Sequence, residues 1–77
     1  MRAVVQRVRE ASVSVDGAEF ARIGKGIVVY LGVGRGDGEP EVAYLAEKIA
    51  HLRVFEDECS NMNLSVKDVG GAALVIS

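Results

Sequence analysis

The chain opens with a short stretch in which apolar residues fall on both faces of an extended backbone, interrupted by Gln6 and Arg7. In Arg2–Arg9, Val4 and Val8 fall on one face and Ala3 and Val5 on the other, the period of a β-strand. Ala11-Ser12-Val13-Ser14-Val15 alternates strictly, small apolar groups on one side and hydroxyls on the other. Asp16-Gly17 then supplies the two positive-φ positions of a tight hairpin turn. Ala18 to Ile23 is predicted as the returning strand, with Phe20 and Ile23 in the core. Gly24-Lys25-Gly26 turns the chain again, and Ile27-Val28-Val29-Tyr30-Leu31 is apolar on both faces, as a central strand would be.

Beyond residue 38 the period changes. Val42, Leu45, Ile49 and Leu52 form one apolar stripe at helical spacing. Pro40 suits a first helical turn, Glu39 and Glu41 complement its positive end, and Lys48, His51 and Arg53 lie toward the negative end. Burial of each stripe residue is worth roughly 1.5–3 kcal/mol, so the helix must dock on a sheet to persist. Alternation returns over Asn63–Val69, Gly70-Gly71 turns, and Ala72–Ile76 reads as a strand buried on both faces. The expected fold is α+β, a β-rich sheet or barrel-like arrangement in the order β-β-β-β-α-β-β with one amphipathic helix. Residues 1–77 are expected to be part of a single larger domain, since a strand such as 72–76 needs a second half or a partner to cover it.

With 49% apolar residues the chain is globular rather than disordered, but 77 residues bury only about 60% of their unfolded surface. The single cysteine, Cys59, cannot form an internal disulfide, and three acids beside it give no support to a thiolate. Residues 1–36 hold six Arg or Lys against three acids, and residues 37–77 three against eight, so a net charge of −2 hides a basic first half. No leader or membrane-length apolar run of roughly 18 residues is visible, and a cytoplasmic location is expected.

Few residues suggest chemistry by themselves. The glycines at 32, 34, 36 and 38 follow a strand and precede a helix, as in phosphate-binding loops. Their spacing fits neither nucleotide fingerprint, and Glu39 and Glu41 would repel a phosphate. Glu56, Asp57 and Glu58 read as a solvated acidic turn, and His51 as a surface partner of Glu47 four residues back. One histidine and one cysteine make no zinc site; neither a metal nor a cofactor is expected. Gln6 and Arg7 stand among valines. There a charged group must either be hydrogen-bonded or reach solvent from an exposed face. Ser77, the first polar residue after the last strand, has no base placed to activate it.

Met1-Arg2-Ala3-Val4-Val5-Gln6-Arg7-Val8 and Ala11–Val15 closely resemble the start of the D-aminoacyl-tRNA deacylases. Ile23–Gly26, Leu31–Val33, Tyr44–Ile49, Leu52–Asp57, Met62–Ser65, Asp68–Gly71 and Leu74–Ser77 agree in order and spacing. The resemblance implies a cytoplasmic, homodimeric proofreading hydrolase that cleaves the ester joining a D-amino acid, or glycine, to the terminal adenosine of tRNA. Partners would be the aminoacylated acceptor end and a second copy, with neither DNA nor membrane involved. Chemistry there leans on the tRNA 2′-hydroxyl and backbone donors, which leave no side-chain signature. Family members continue the last strand into a Ser-Gln-x-Thr stretch and carry a Gly-Pro pair; here only Ser77 and a lone Pro40 are present. The chain thus resembles the N-terminal half of such an enzyme, inactive alone. Ser77 carries over as catalytic and Arg7 as the anchor of the Gly-Pro loop, with Gln6 and Met62 as substrate-pocket neighbours. The competing readings are a non-enzymatic interaction module that pairs through exposed strands, and a nucleotide-binding unit on the Gly-rich loop.

Overall fold

A computed structural model describes residues 1–77. The elements run β1 (Arg2–Val8), β2 (Ala11–Val15), β3 (Ala18–Ile23), β4 (Gly26–Gly32), α1 (Glu39–Ala50), β5 (Phe55–Glu56), β6 (Met62–Leu64) and β7 (Ala72–Ile76). The architecture is α+β, in three small sheets: β1-β4-β7, β2-β3 and β5-β6. The order matches the expected one with the two-residue β5 added.

Strand β4 is the centre, as its two apolar faces predict. It pairs antiparallel with β1, setting Val5 against Val29 and Arg7 against Ile27. On its other side it pairs parallel with β7, setting Ile27 against Ala73 and Tyr30 against Ile76. A parallel partner needs a crossover, and α1 supplies it. Ile27, only 1% exposed, joins Val29, Phe55 and Val66 in the core, with Ala3, Val5, Ile49, Val54, Leu64 and Val69 packed around them. Gly26 is required where β4 and β7 meet: a Cβ there would lie 1.9 Å from the Ala72 carbonyl oxygen.

Helix α1 opens as its sequence demands. The Gly38 N–H donates to Glu41 Oε2 at 2.8 Å, and Pro40 lies in the first turn, where no N–H is needed. Val42, Leu45 and Ile49 face the sheet, joined by Ala46 and Ala50. They leave an apolar cavity of about 310 Å³ over Ile27, Val29, Leu31, Ala73 and Val75. Leu52 lies just past the end of the helix, yet it lines a hollow with Ala3, Val5, Leu45 and Ile49, so the apolar stripe continues onto it.

The β2–β3 hairpin turns at Asp16 and Gly17 with φ of +51° and +80°, the mirror-image turn expected. Phe20 is not in the core; it is 81% exposed. The ladder steps from Val13–Ala21 to Ser14–Glu19, so Phe20 is the extra residue of a β-bulge with no partner opposite.

Two further expectations need correction. Residues 63–69 are not one strand. β6 ends at Leu64 because the Asp68 carboxylate accepts from both the N–H and the hydroxyl of Ser65, at 2.9 and 3.0 Å, while Ser65 Oγ accepts from the Asp68 N–H. That reciprocal Ser-x-x-Asp box closes a turn where alternation alone suggests a strand. Strand β7 is not buried on both faces either. It is an end strand with a single ladder, and Val75 is 57% exposed. The whole molecule is a slab of 41 × 35 × 15 Å.

Candidate functional site

Arg7 shares the helix-side face of β1 with Ala3 and Val5, at the end of the strand where α1 no longer covers it. Its guanidinium Nη1 donates to the Val54 carbonyl at 3.0 Å and approaches Met62 Sδ at 3.5 Å. A cation at the rim of an apolar layer thus has a backbone acceptor 47 residues away. It staples β1 to the segment entering β5 and to β6.

Around Arg7 opens a hollow of about 610 Å³ lined by Arg7, Val8, Arg9, Lys25, Phe55 and Glu56. The buried Phe55 forms its floor, held there by the Phe55–Leu64 pair of β5 and β6. Lys25 Nζ stands 5.6 Å from the Phe55 ring centroid, within cation–π range. Three cations face a single acid, Glu56. Arg9, Lys25 and Phe55 were not singled out by sequence reasoning. The available signal was the basic run Arg7–Arg9 and its antiparallel return at Lys25.

The predicted site residues do not converge on one place. Arg7 and Met62 touch. Gln6 lies on the opposite face of β1, with Val4 and facing Val28. Ser77 follows β7 at the level of Leu31 and Ala3, two strands across and four residues along from Arg7. At about 4.8 Å per strand and 3.3 Å per residue, the two backbones lie about 16 Å apart.

The other candidate groups are occupied within the chain. In the Gly-rich loop, Gly34 N–H donates to Asp37 Oδ2 at 2.7 Å and Gly38 N–H to Glu41. Two amides that could hold a phosphate thus already serve carboxylates. Asp37 also binds the Met1 ammonium at 2.7 Å, and that contact, with the Gly34 N–H, holds its carboxyl below the usual range. In the acidic turn, Asp57 accepts from the N–H groups of Cys59 and Asn61 and from the Asn63 amide. The Asn61 N–H is the main cause that lowers its pKa. Asp68 is lowered chiefly by the Ser65 N–H and then its hydroxyl, with His51 and Arg53 nearby. His51 Nδ1 lies 2.9 Å from the Glu47 carbonyl oxygen and 3.4 Å from its carboxylate, the local pair expected. Cys59 is an exposed free thiol. No helix is long and apolar enough to cross a membrane.

Comparison with known proteins decides the family. The family profile described as D-Tyr-tRNA(Tyr) deacylase matches residues 4–77. The chain belongs to this family. A D-aminoacyl-tRNA deacylase of Syntrophobacter fumaroxidans is 62% identical over 77 residues, covering 100% of this chain and 52% of the relative. One from Heliobacterium modesticaldum is 58% identical over the same span, 51% of its own length. Among solved structures, the c-Myc DNA Unwinding Element Binding Protein superposes with a TM-score of 0.93 at 45% identity, over 97% of this chain and 51% of that one. The chain therefore spans about half the length of the deacylases it matches.

Proposed function

We propose that this chain is the N-terminal part of a single-domain proofreading hydrolase that cleaves the ester of D-aminoacyl-tRNA, and of glycyl-tRNA, to free amino acid and tRNA. The observation that carries the reading is the match over residues 4–77, together with 62% identity across the whole chain to a D-aminoacyl-tRNA deacylase. In the complete enzyme, Ser77 acts at the catalytic centre, and Arg7, with Met62 in contact, supports the substrate pocket; Gln6, on the opposite face of β1, stands apart from them. The enzyme acts as a cytoplasmic homodimer, with the tRNA acceptor end as its partner.

Alone, these residues are inactive. Arg7 and Ser77 lie too far apart in one copy to bound a single aminoacyl pocket, and the Gly-Pro pair that resemblance assigns to the pocket is absent. Incubating the purified chain with D-Tyr-tRNA beside the Syntrophobacter relative, and following ester loss, tests both statements. Rapid loss with the relative and none with the chain is expected. No loss with the relative overturns the activity reading; comparable loss with both overturns the inactivity of the chain.

A further inference from the structure

We propose that Arg9 and Lys25, with Arg7 behind them, form a phosphate-binding row that holds a phosphodiester of an RNA strand. The choice of RNA rests on the hydrolase reading above; the anion site itself rests on charge geometry. The β1–β4 ladder ends with Arg7 facing Ile27 and Val8 facing Gly26. Arg9 and Lys25 are the residues just beyond that last pair, and with Arg7 they line one hollow.

Like charges gathered around one hollow repel one another unless something neutralises them. Here nothing in the chain does. None of the three cations joins an ion pair, whereas Arg22 on the neighbouring hairpin is held by Glu19 at 2.6 Å and by Glu10 at 3.8 Å. Glu56 is the single acid on the wall of the hollow, which leaves an excess of two positive charges. Two of the three cations are already positioned: Arg7 by the Val54 carbonyl, and Lys25 by the Phe55 ring. A bound anion would thus have to order little beyond Arg9, whose planar fork suits two phosphate oxygens.

The same charge decides which part of an aminoacyl-tRNA fits. The esterified amino acid has no carboxylate and carries an ammonium group, which this row repels. The phosphates of the strand are what it attracts. A hollow of about 610 Å³ leaves room for a phosphate and its adjoining sugar.

The probe is the ribotrinucleotide CCA, which carries no aminoacyl ester, titrated into the 77-residue chain and followed by side-chain and amide NMR shifts. Shifts centred on Arg9, Lys25 and Phe55 are expected. Arg9→Gln with Lys25→Gln should weaken binding about tenfold and flatten the dependence of log K on log salt by about 0.7, the slope that one single-strand phosphate contributes. The charge-keeping pair Arg9→Lys and Lys25→Arg should retain most of the affinity, which separates charge from folding. Inorganic phosphate should shift the same residues more weakly. CCA binding that the Gln pair leaves unchanged, or shifts centred elsewhere, would overturn the proposal. Because CCA has no scissile ester, binding at this row without D-Tyr-tRNA hydrolysis by the relative would sink the activity reading and leave the site standing.

Discussion

The α-amino nitrogen of Met1 lies 2.7 Å from Asp37 Oδ2, the same oxygen that accepts the Gly34 N–H at 2.7 Å. One carboxylate oxygen thereby ties the start of β1 to the loop between β4 and α1. The Met1 side chain reaches into the apolar cavity under the helix, so the contact is partly shielded from water. Acetylating the Met1 amine should remove the cation and leave Asp37 with its loop amide alone. The expected result is a lower melting temperature and an Asp37 carboxyl that titrates closer to its ordinary value, read by carbon NMR. An unchanged Asp37 titration would show that the contact carries no weight.

Acid should loosen three turns together. The carboxyls of Asp37, Asp57 and Asp68 are all held below the usual range in the folded chain, while the unfolded chain takes up those protons near pH 3.9. Their contribution is complete above that pH and is lost as the pH falls through the lower folded-state values. Melts between pH 6 and pH 2 should show a plateau and then a steep fall. Asp57→Asn should make that fall shallower; a variant curve parallel to the parent would contradict it.

Gly26→Ala should be among the most damaging single changes. Its methyl group would meet the Ala72 carbonyl at 1.9 Å, and backbone on both strands would have to move. The expected cost is on the order of 3 kcal/mol, toward the upper end for overpacking. That lowers the melting temperature by about 12 °C or more for a chain of this size. Gly24→Ala, where no atom lies within 4 Å, is the control and should melt within a few degrees of the parent.

Arg7→Lys should separate packing from charge. A lysine keeps the cation but not the fork that reaches the Val54 carbonyl and Met62 together. In the Syntrophobacter relative, if arginine holds the same position, the substitution should reduce the ratio of D- to L-Tyr-tRNA hydrolysis at nearly unchanged stability. An unaltered ratio would confine Arg7 to a structural role.

Elements whose chemistry is local were legible in the sequence. Asp16-Gly17 fixed the hairpin, the two-faced run 27–31 the central strand, and Pro40 with its flanking acids the helix start. Phe20 was misplaced because a bulge depends on how the opposing strand lines up, which composition does not encode. The Ser65-x-x-Asp68 box was present to be read, but the alternation around it looked more like a strand. Arg7 could be recognised as needing a hydrogen-bond partner, yet not as finding it at Val54. The distance between Arg7 and Ser77 follows from β7 running parallel to β4, a long-range choice no local pattern displays.

The central strand also imposes an order in time. Its antiparallel partner β1 lies, with β4 itself, within the first 32 residues, so that side of the sheet can pair before the crossover helix docks. The parallel seam must wait, because Gly26 meets Ala72 only after 45 intervening residues have formed a crossover. Until β7 arrives, β4 presents a bare row of amides and carbonyls beside its most apolar face. The interval between the two pairings is when a newly made chain is most exposed to joining the wrong strand.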